Sequence, residues 1–362
     1  MSDRYARLRA RVEGLEAAGL RRRLRLVEPT SATTARVDGR EMLIFCSNDY
    51  LGLSAHPEVR AAFVGGGGNG ARLVSGNRRA HEGLEAALSA TFGRPATLFP
   101  SGYAANLGLY STVLGRGYLA ASDALNHASI IDGLRLSRAE RTIVPHASPG
   151  SIPAGATLVA TETCFSMDGD VPDLQAWSGV HWLAVDEAHA VGALGPDGRG
   201  VAAAQGVTPD FVVGTLGKAY GAAGAFVIGP PELRELLISS ARSFVYTTAM
   251  PEGVAAAALV GMRLATTERR ERLAANAVRL RRGLRDVGAT ALGEAHIVPV
   301  LTGARTMEVA SRLLDAGVFA PGIRFPTVPR GQERIRLTVC SEHSSGQIDR
   351  CVEAVAPALA AQ

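Results

Sequence analysis

The chain has 362 residues, 47% of them hydrophobic and 20% charged, with a formal net charge of +4. That length suits two packed domains better than one small core, and that composition excludes general disorder. Its 41 glycines and 18 prolines follow no fibrous period, and its longest apolar stretches, 219–231 and 253–262, fall short of the roughly 20 residues a membrane-spanning helix needs.

The start, Met1-Ser2-Asp3-Arg4, leads into charges instead of an apolar signal core, so a cytoplasmic protein with no membrane association is expected. The first forty residues read as a helix and a short extended connection. The helical pattern carries Leu8, Leu15 and Leu20 and runs into Arg21-Arg22-Arg23-Leu24-Arg25. This basic run is either a solvated helix end or a device for capturing an anionic substrate group. No aromatic residues interleave it, so no nucleic-acid partner is expected.

From about Met42 the pattern becomes alternation of strands and helices. Short apolar strands are predicted at 96–99, 157–161, 180–185, 211–213 and 225–228, with helices at 84–91 and 103–114 between them. This is the signature of a mostly parallel sheet covered by helices. After Pro251 the texture changes. Residues 253–287 read as one or two long helices with Leu273, Leu280, Leu284 and Val287 on one stripe. A strand (297–301), a helix (306–316), a strand (334–339) and a last helix (347–360) follow. The expected division is an N-terminal helical segment (1–41), a large α/β domain (42–262) and a small α+β domain (263–362).

Of 38 basic residues only one, Lys218, is a lysine. In a chain where arginine fills nearly every cationic position, a solitary lysine marks a need for an amine. Arginine stays protonated, whereas a desolvated lysine loses its proton and condenses with a carbonyl. The neighbouring sequence, Val213-Gly214-Thr215-Leu216-Gly217-Lys218, puts this amine just past a strand end, with Thr215 placed to meet a phosphate. It is no Walker loop, since Ala219 follows the lysine.

Ligands in such sheets sit outside the carboxyl ends of strands. Apolar residues run directly into Asp186 in Leu183-Ala184-Val185-Asp186-Glu187-Ala188-His189. A carboxylate there either caps the next helix or holds a cationic partner such as a protonated heterocycle nitrogen. At about 4 Å and an effective dielectric near 20 that attraction is roughly 4 kcal/mol. His189 is close enough in sequence to reach the same ligand. In Phe99-Pro100-Ser101-Gly102-Tyr103 a strand meets a helix, and the N–H groups of Gly102 and Tyr103 form an anion site. His127, in Asn126-His127-Ala128-Ser129, is either a structural histidine or a ring that stacks on the ligand. One molecule accounts for all of these groups: pyridoxal 5'-phosphate (PLP). Its aldehyde suits Lys218, its ring nitrogen Asp186, its phenolic oxygen His189, its face His127, and its phosphate Thr215 and the Gly102 turn.

Two other signals point away from chemistry. Gly65–Gly70 formally contains G-x-G-x-x-G, but it follows a helical segment at 57–64, so a dinucleotide-dependent oxidoreductase is excluded and a loop approaching a ligand or partner subunit is expected. Cys46, Cys164, Cys340 and Cys351 form no C-x-x-C pair and read as small core residues of a reducing compartment, with no metal site.

The sequence resembles the α-oxoamine synthases, fold-type-I PLP enzymes. The likeness runs through Ser47-Asn48-Asp49-Tyr50-Leu51-Gly52-Leu53, Arg72-Leu73-Val74-Ser75-Gly76, the 101–106 turn, Asn126–Ser129 and Phe165-Ser166-Met167-Asp168-Gly169-Asp170. It continues through Asp186–His189, Thr215–Lys218, Pro326-Thr327-Val328-Pro329 and Arg334-Ile335-Arg336-Leu337. The resemblance implies a large mostly parallel-sheet domain with a smaller C-terminal α+β domain. It implies decarboxylative condensation of L-alanine with a pimeloyl thioester, on coenzyme A or a carrier protein, to give 8-amino-7-oxononanoate for biotin. A glycine-using member of the 2-amino-3-ketobutyrate CoA ligase type is the alternative. By resemblance, Lys218 bonds the cofactor and moves the α-proton, Asp186 pairs with the ring nitrogen, and His127 stacks on the ring. Ser166 and His189 meet the phenolic oxygen, and Thr215, Gly102 and Tyr103 the phosphate. Arg336 holds the amino-acid carboxylate, and Arg21, Asn48 and Thr327 contact substrate. A homodimer is implied, with Thr247-Thr248 reaching the phosphate of the neighbouring subunit.

Overall fold

The computed structural model describes residues 4–179 and 181–360. Helix α1 (Ala6–Ala17) opens it and buries none of its side chains. The helix expected to continue into the basic run stops here. Gly19 takes φ +67°, and the N–H groups of Leu20 and Arg21 both turn back to the Leu15 carbonyl. Residues 21–25 therefore lie in an irregular connection, a correction to the helical reading. The extended stretch beyond them is strand: β1 (Val27–Pro29), β2 (Thr34–Val37) and β3 (Arg40–Ile44) pair antiparallel. In β2 the side chains alternate as a pleat requires, with Ala35 and Val37 buried and Arg36 exposed.

The central sheet is built from β4 (Ala96–Phe99), β5 (Leu119–Asp123), β6 (Glu140–Val144), β7 (Leu158–Glu162), β8 (Trp182–Asp186), β9 (Phe211–Thr215) and β10 (Ala225–Ile228). Their order is β4-β10-β9-β8-β7-β5-β6. The run from β9 to β6 is parallel, and β10 lies antiparallel between β9 and β4. Strands β5 and β6 were not foreseen: one is Leu-Ala-Ala-Ser-Asp, the other an edge strand that is mostly exposed. Val180, assigned to a strand from the sequence, lies outside the described residues. Helices α2 (Pro57–Ala62), α3 (Arg79–Phe92), α4 (Gly102–Val113) and α5 (Ala128–Ser137) connect the strands.

Beyond Pro251, two helices form, α6 (Glu252–Leu264) and α7 (Thr267–Asp286). The break is capped by Thr266, whose Oγ1 accepts from the N–H of Arg269 at 3.4 Å. The buried stripe of α7 is Leu273, Ala277, Leu280 and Leu284. Val287 does not extend it: it follows the last helical residue and is 40% exposed, which corrects that assignment. The remaining elements are β11 (Ile297–Leu301), α8 (Thr306–Asp315), β12 (Val318–Phe319), β13 (Gly322–Ile323), β14 (Arg334–Thr338) and α9 (Ser345–Ala360). Strands β11, β14 and β13 form an antiparallel sheet, while β12 pairs with β3.

One core cluster matters most for function. Phe45, Tyr50, Leu51 and Leu53 pack with Leu280, Leu284, Val298, Leu337 and Ile348. This seats the loop after β3 against β14, beside the carboxyl ends of the large sheet. The glycine loop is also tightly placed, but against its own chain. A Cβ on Gly68 would lie 2.0 Å from the Ala249 carbonyl, and the N–H of Ala249 donates to Gly70 O at 2.9 Å. Among the described residues no helix is long and apolar enough to cross a membrane. All four cysteines are free, three buried and Cys46 partly so.

Candidate active site

Asp186 is the last residue of β8, at the end where the parallel strands leave the sheet. It is 7% exposed, and a buried carboxylate requires donors. Asn106 Nδ2, from α4, donates to its Oδ2 at 2.8 Å, and the N–H of Ala188 donates to its Oδ1 at 2.9 Å. The same Asn106 nitrogen donates to Ser129 Oγ at 2.9 Å. Ser129 in turn lies 2.7 Å from His127 Nδ1, which also accepts from the Ser129 N–H at 3.3 Å. His127 Nδ1 is therefore an acceptor, and its hydrogen sits on Nε2. One amide group thus holds Asp186 directly and His127 through a hydroxyl.

Beside Asp186 in the sheet register stands Glu162, buried, with Oε1 lacking a hydrogen-bond partner among the described residues. Burial first, then the charge of Asp186, push its carboxyl well above the usual range, so it keeps its proton. A neutral neighbour lets Asp186 carry the only negative charge of the pair.

Lys218 lies in the turn after β9. Its Nζ is 2.9 Å from His189 Nε2. Desolvation brings the amine down to about 8, against the upward pull of Asp186. The fraction of free amine at neutral pH is roughly three hundredfold that of an ordinary lysine. His127 is exposed overall, yet the desolvation its ring does suffer keeps it below the ordinary histidine value.

Gly102 and Tyr103 open α4, so their N–H groups have no partner within the helix. Ser101 caps it, accepting from the Ala104 N–H at 3.1 Å. Nothing lies within 4 Å of where a Cβ on Gly102 would be, so the approach is clear. Thr215 turns its hydroxyl to the Gly224 carbonyl at 3.1 Å. Arg336, on β14 and 7% exposed, donates from Nε to the backbone carbonyl of Ser166 and from both terminal nitrogens to Asn48 Oδ1 at 3.3 Å. This donor set fits PLP. It offers a desolvated amine for an aldehyde, an anchored carboxylate for a ring nitrogen, and an open helix N-terminus for a phosphate.

The aminotransferase class I and II family model matches residues 40–355. An 8-amino-7-oxononanoate synthase of Geotalea daltonii (strain DSM 22248 / JCM 15807 / FRC-32) is 42% identical over 375 residues, covering 95% of this chain and 95% of its own. Another, from Anaeromyxobacter dehalogenans (strain 2CP-1 / ATCC BAA-258), is 43% identical over 376 residues, covering 97% of this chain and 94% of its own.

The chain belongs to the 8-amino-7-oxononanoate synthase family.

Solved structures agree. A Sphingomonas wittichii serine palmitoyltransferase superposes with TM-score 0.90 at 33% identity, covering 98% of this chain and 97% of its own. The S. paucimobilis serine palmitoyltransferase, solved with a PLP–myriocin aldimine, gives TM-score 0.90 at 32% identity, covering 98% of this chain and 97% of its own. An 8-amino-7-oxononanoate synthase from Francisella tularensis gives 0.77 at 27%, covering 87% and 97%. The fold is that of the fold-type-I PLP transferases, and the family is PLP-dependent.

Not every predicted site residue gathers around Lys218. Arg21 forms an ion pair with Glu16 at 2.7 Å, and Thr327 Oγ1 accepts from Arg22 at 3.1 Å. Both line a separate cleft of about 1050 Å³, walled by Arg23, Arg25, Arg324 and Phe319. Thr327 also lines a separate small cavity with Ser166 and Arg334. Thr248 is exposed, and its Cγ2 lies beside Gly68. Sequence reading missed Asn106 and Glu162 as site residues. Asn106 sits inside the quoted 101–106 turn, and Glu162 ends a buried strand just as Asp186 does, so both carried a signal.

Proposed function

We propose that the protein condenses L-alanine with a pimeloyl thioester, releasing CO2 and the thiol and giving 8-amino-7-oxononanoate. The observation that carries the chemistry is the chain's sole lysine, with its amine desolvated among His189, Asp186 and Glu162. The near full-length likeness to relatives of that name supports the substrates.

When bound, PLP supplies an electron sink that acidifies the α-carbon of the amino acid. In this reading Lys218 is the attachment point. There the Lys218 amine would hold the cofactor by its aldehyde and, when free, would take the α-proton of the amino acid and later return one. Asp186, held by Asn106 and Ala188, keeps the ring nitrogen protonated. His127 lies over the ring, and Arg336 holds the alanine carboxylate as a planar fork. Gly102 and Tyr103 bind the phosphate with Thr215. Ser166 and His189 face the phenolic oxygen. The α-carbon forms its new bond to the thioester carbonyl carbon as the carbon–sulfur bond breaks, and the thiolate takes a proton. The acyl chain reaches the site past Asn48 and Thr327 from the arginine-lined cleft containing Arg21. Two copies pair, with Thr248 of each chain completing the other's phosphate site.

The test is release of CoA from pimeloyl-CoA with each amino acid in turn. Turnover with alanine is expected. A preference for glycine with a two-carbon acyl donor would overturn the substrate assignment.

A further inference from the structure

An unbroken series of hydrogen bonds joins Lys218 to Arg336. Arg336 donates from Nη1 and Nη2 to Asn48 Oδ1, each at 3.3 Å. Tyr50 Oη lies 3.1 Å from that same oxygen and 2.6 Å from His189 Nδ1. His189 Nε2 lies 2.9 Å from Lys218 Nζ. The proton positions follow from donor counting alone. A guanidinium only donates, so the Asn48 atom it meets is the amide oxygen. An amide oxygen only accepts, so the single proton of Tyr50 points to Asn48. The phenol oxygen is left to accept, so the hydrogen of His189 sits on Nδ1. A neutral imidazole has only one, so Nε2 turns a lone pair toward Lys218. The reverse assignment would set Tyr50 Oη and Asn48 Oδ1 face to face with no proton between them.

Each member is fixed by its surroundings. Tyr50 is 0% exposed, and its ring lies 3.9 Å from that of His296. Its carbonyl accepts from the Ser341 N–H at 2.8 Å, while Asp49 ties down the loop by accepting from the N–H groups of Leu53 and Ser54 at 2.9 and 3.0 Å. His189 stays neutral, because burial and then the charges of Lys218 and Arg336, with His296 and His127 beyond, oppose a second proton.

We propose that Tyr50 is a positioning residue: it sets the tautomer of His189, and so decides that the amine of Lys218 faces a hydrogen-bond acceptor. The inference deepens the function proposed above and rests on its placing of Lys218 and Arg336. An acceptor opposite Nζ favours the ammonium, whereas an Nε2–H there disfavours it. The carboxylate pocket at Arg336 is thereby wired to the protonation of the amine.

Because Lys218 is the sole lysine, its titration is readable at one peptide. The full-length protein freed of PLP is labelled competitively with limiting acetic anhydride across the pH range, and the Lys218 peptide is quantified by mass spectrometry. The wild-type midpoint is expected at about 8. Tyr50→Phe keeps the ring against His296 but removes the acceptor for Nδ1–H. The other groups facing the amine, Asp186, Glu162, Arg336, Cys164 and His127, are unchanged. The midpoint should fall by about one pH unit, a tenfold loss of proton affinity. Asn48→Leu, a further bond removed from the lysine, should shift it the same way, because the Tyr50 proton then turns to Nδ1 and drives the hydrogen to Nε2. Histidine side-chain ¹⁵N shifts should show the tautomer change of His189 in both variants. Midpoints unchanged in folded variants would overturn the proposal. A shift with Tyr50→Phe alone would also overturn it, leaving Tyr50 a packing residue. Neither outcome depends on which acyl chain or amino acid the enzyme uses.

Discussion

Replacing Asn106 by leucine tests how the site holds its one essential charge. The side chain has similar volume, but the 2.8 Å bond from Nδ2 to Asp186 Oδ2 and the 2.9 Å bond to Ser129 disappear together. A hydrogen bond to a buried carboxylate contributes about 1.5–3 kcal/mol. Asp186 keeps only the Ala188 N–H, so its hold on a ring proton weakens by roughly 2 kcal/mol, and about 30-fold in rate follows if that charge acts in the transition state. His127 also loses its support through Ser129. The assay is kcat for CoA release from pimeloyl-CoA with alanine, alongside the PLP dissociation constant and a thermal melt. A kcat within threefold of wild type, in a variant that melts normally and holds PLP as tightly, would refute the reasoning.

Three further outcomes are expected. His146 bridges Asp123 at 3.0 Å and Asp170 at 2.9 Å, and bonds to these carboxylates raise it to about 10 from an ordinary 6.5. A pKa raised in the folded state means its stabilisation is fully present below about 6.5 and is lost as pH climbs through about 10. The urea-midpoint difference between wild type and His146→Gln should therefore shrink between neutral pH and pH 10, and a constant difference would contradict this. Replacing both Arg22 and Arg324 with alanine should raise KM for the thioester several-fold and leave kcat and the alanine KM near wild type; equal loss for both substrates would place the cleft outside thioester binding. Gly68→Ala would drive a Cβ to 2.0 Å from the backbone of Ala249. It should lower stability by about 1–3 kcal/mol and displace the Thr248 segment, read as a lower Tm and weaker PLP retention.

The large sheet and the two residues that define its chemistry were legible because apolar runs ending abruptly in a polar residue are rare. Leu183-Ala184-Val185 leading into Asp186, and the strand before Thr215 and Lys218, both announce where a chain leaves a buried sheet. The strands missed lacked that contrast. Leu119–Asp123 is alanine-rich, and Glu140–Val144 is a solvated edge strand. Arg21–Arg25 read as helix because the pattern of Leu8, Leu15 and Leu20 leads into them, but Gly19 at positive φ ends the helix before them. The hydrogen-bond wiring was least legible. Tyr50 and His189 are 139 residues apart and meet only because the loop after β3 packs on the C-terminal helices. Asn106 reaches Asp186 across 80 residues because α4 lies on the sheet.

Borohydride reduction of the PLP-loaded enzyme tests the account most directly. The yellow absorption should disappear, and the reduced pyridoxyl group should map to the tryptic peptide containing Lys218 and nowhere else. A loaded, active enzyme that keeps its colour under borohydride, or whose pyridoxyl label falls on the N-terminal amine while the Lys218 peptide is recovered unmodified, would contradict it.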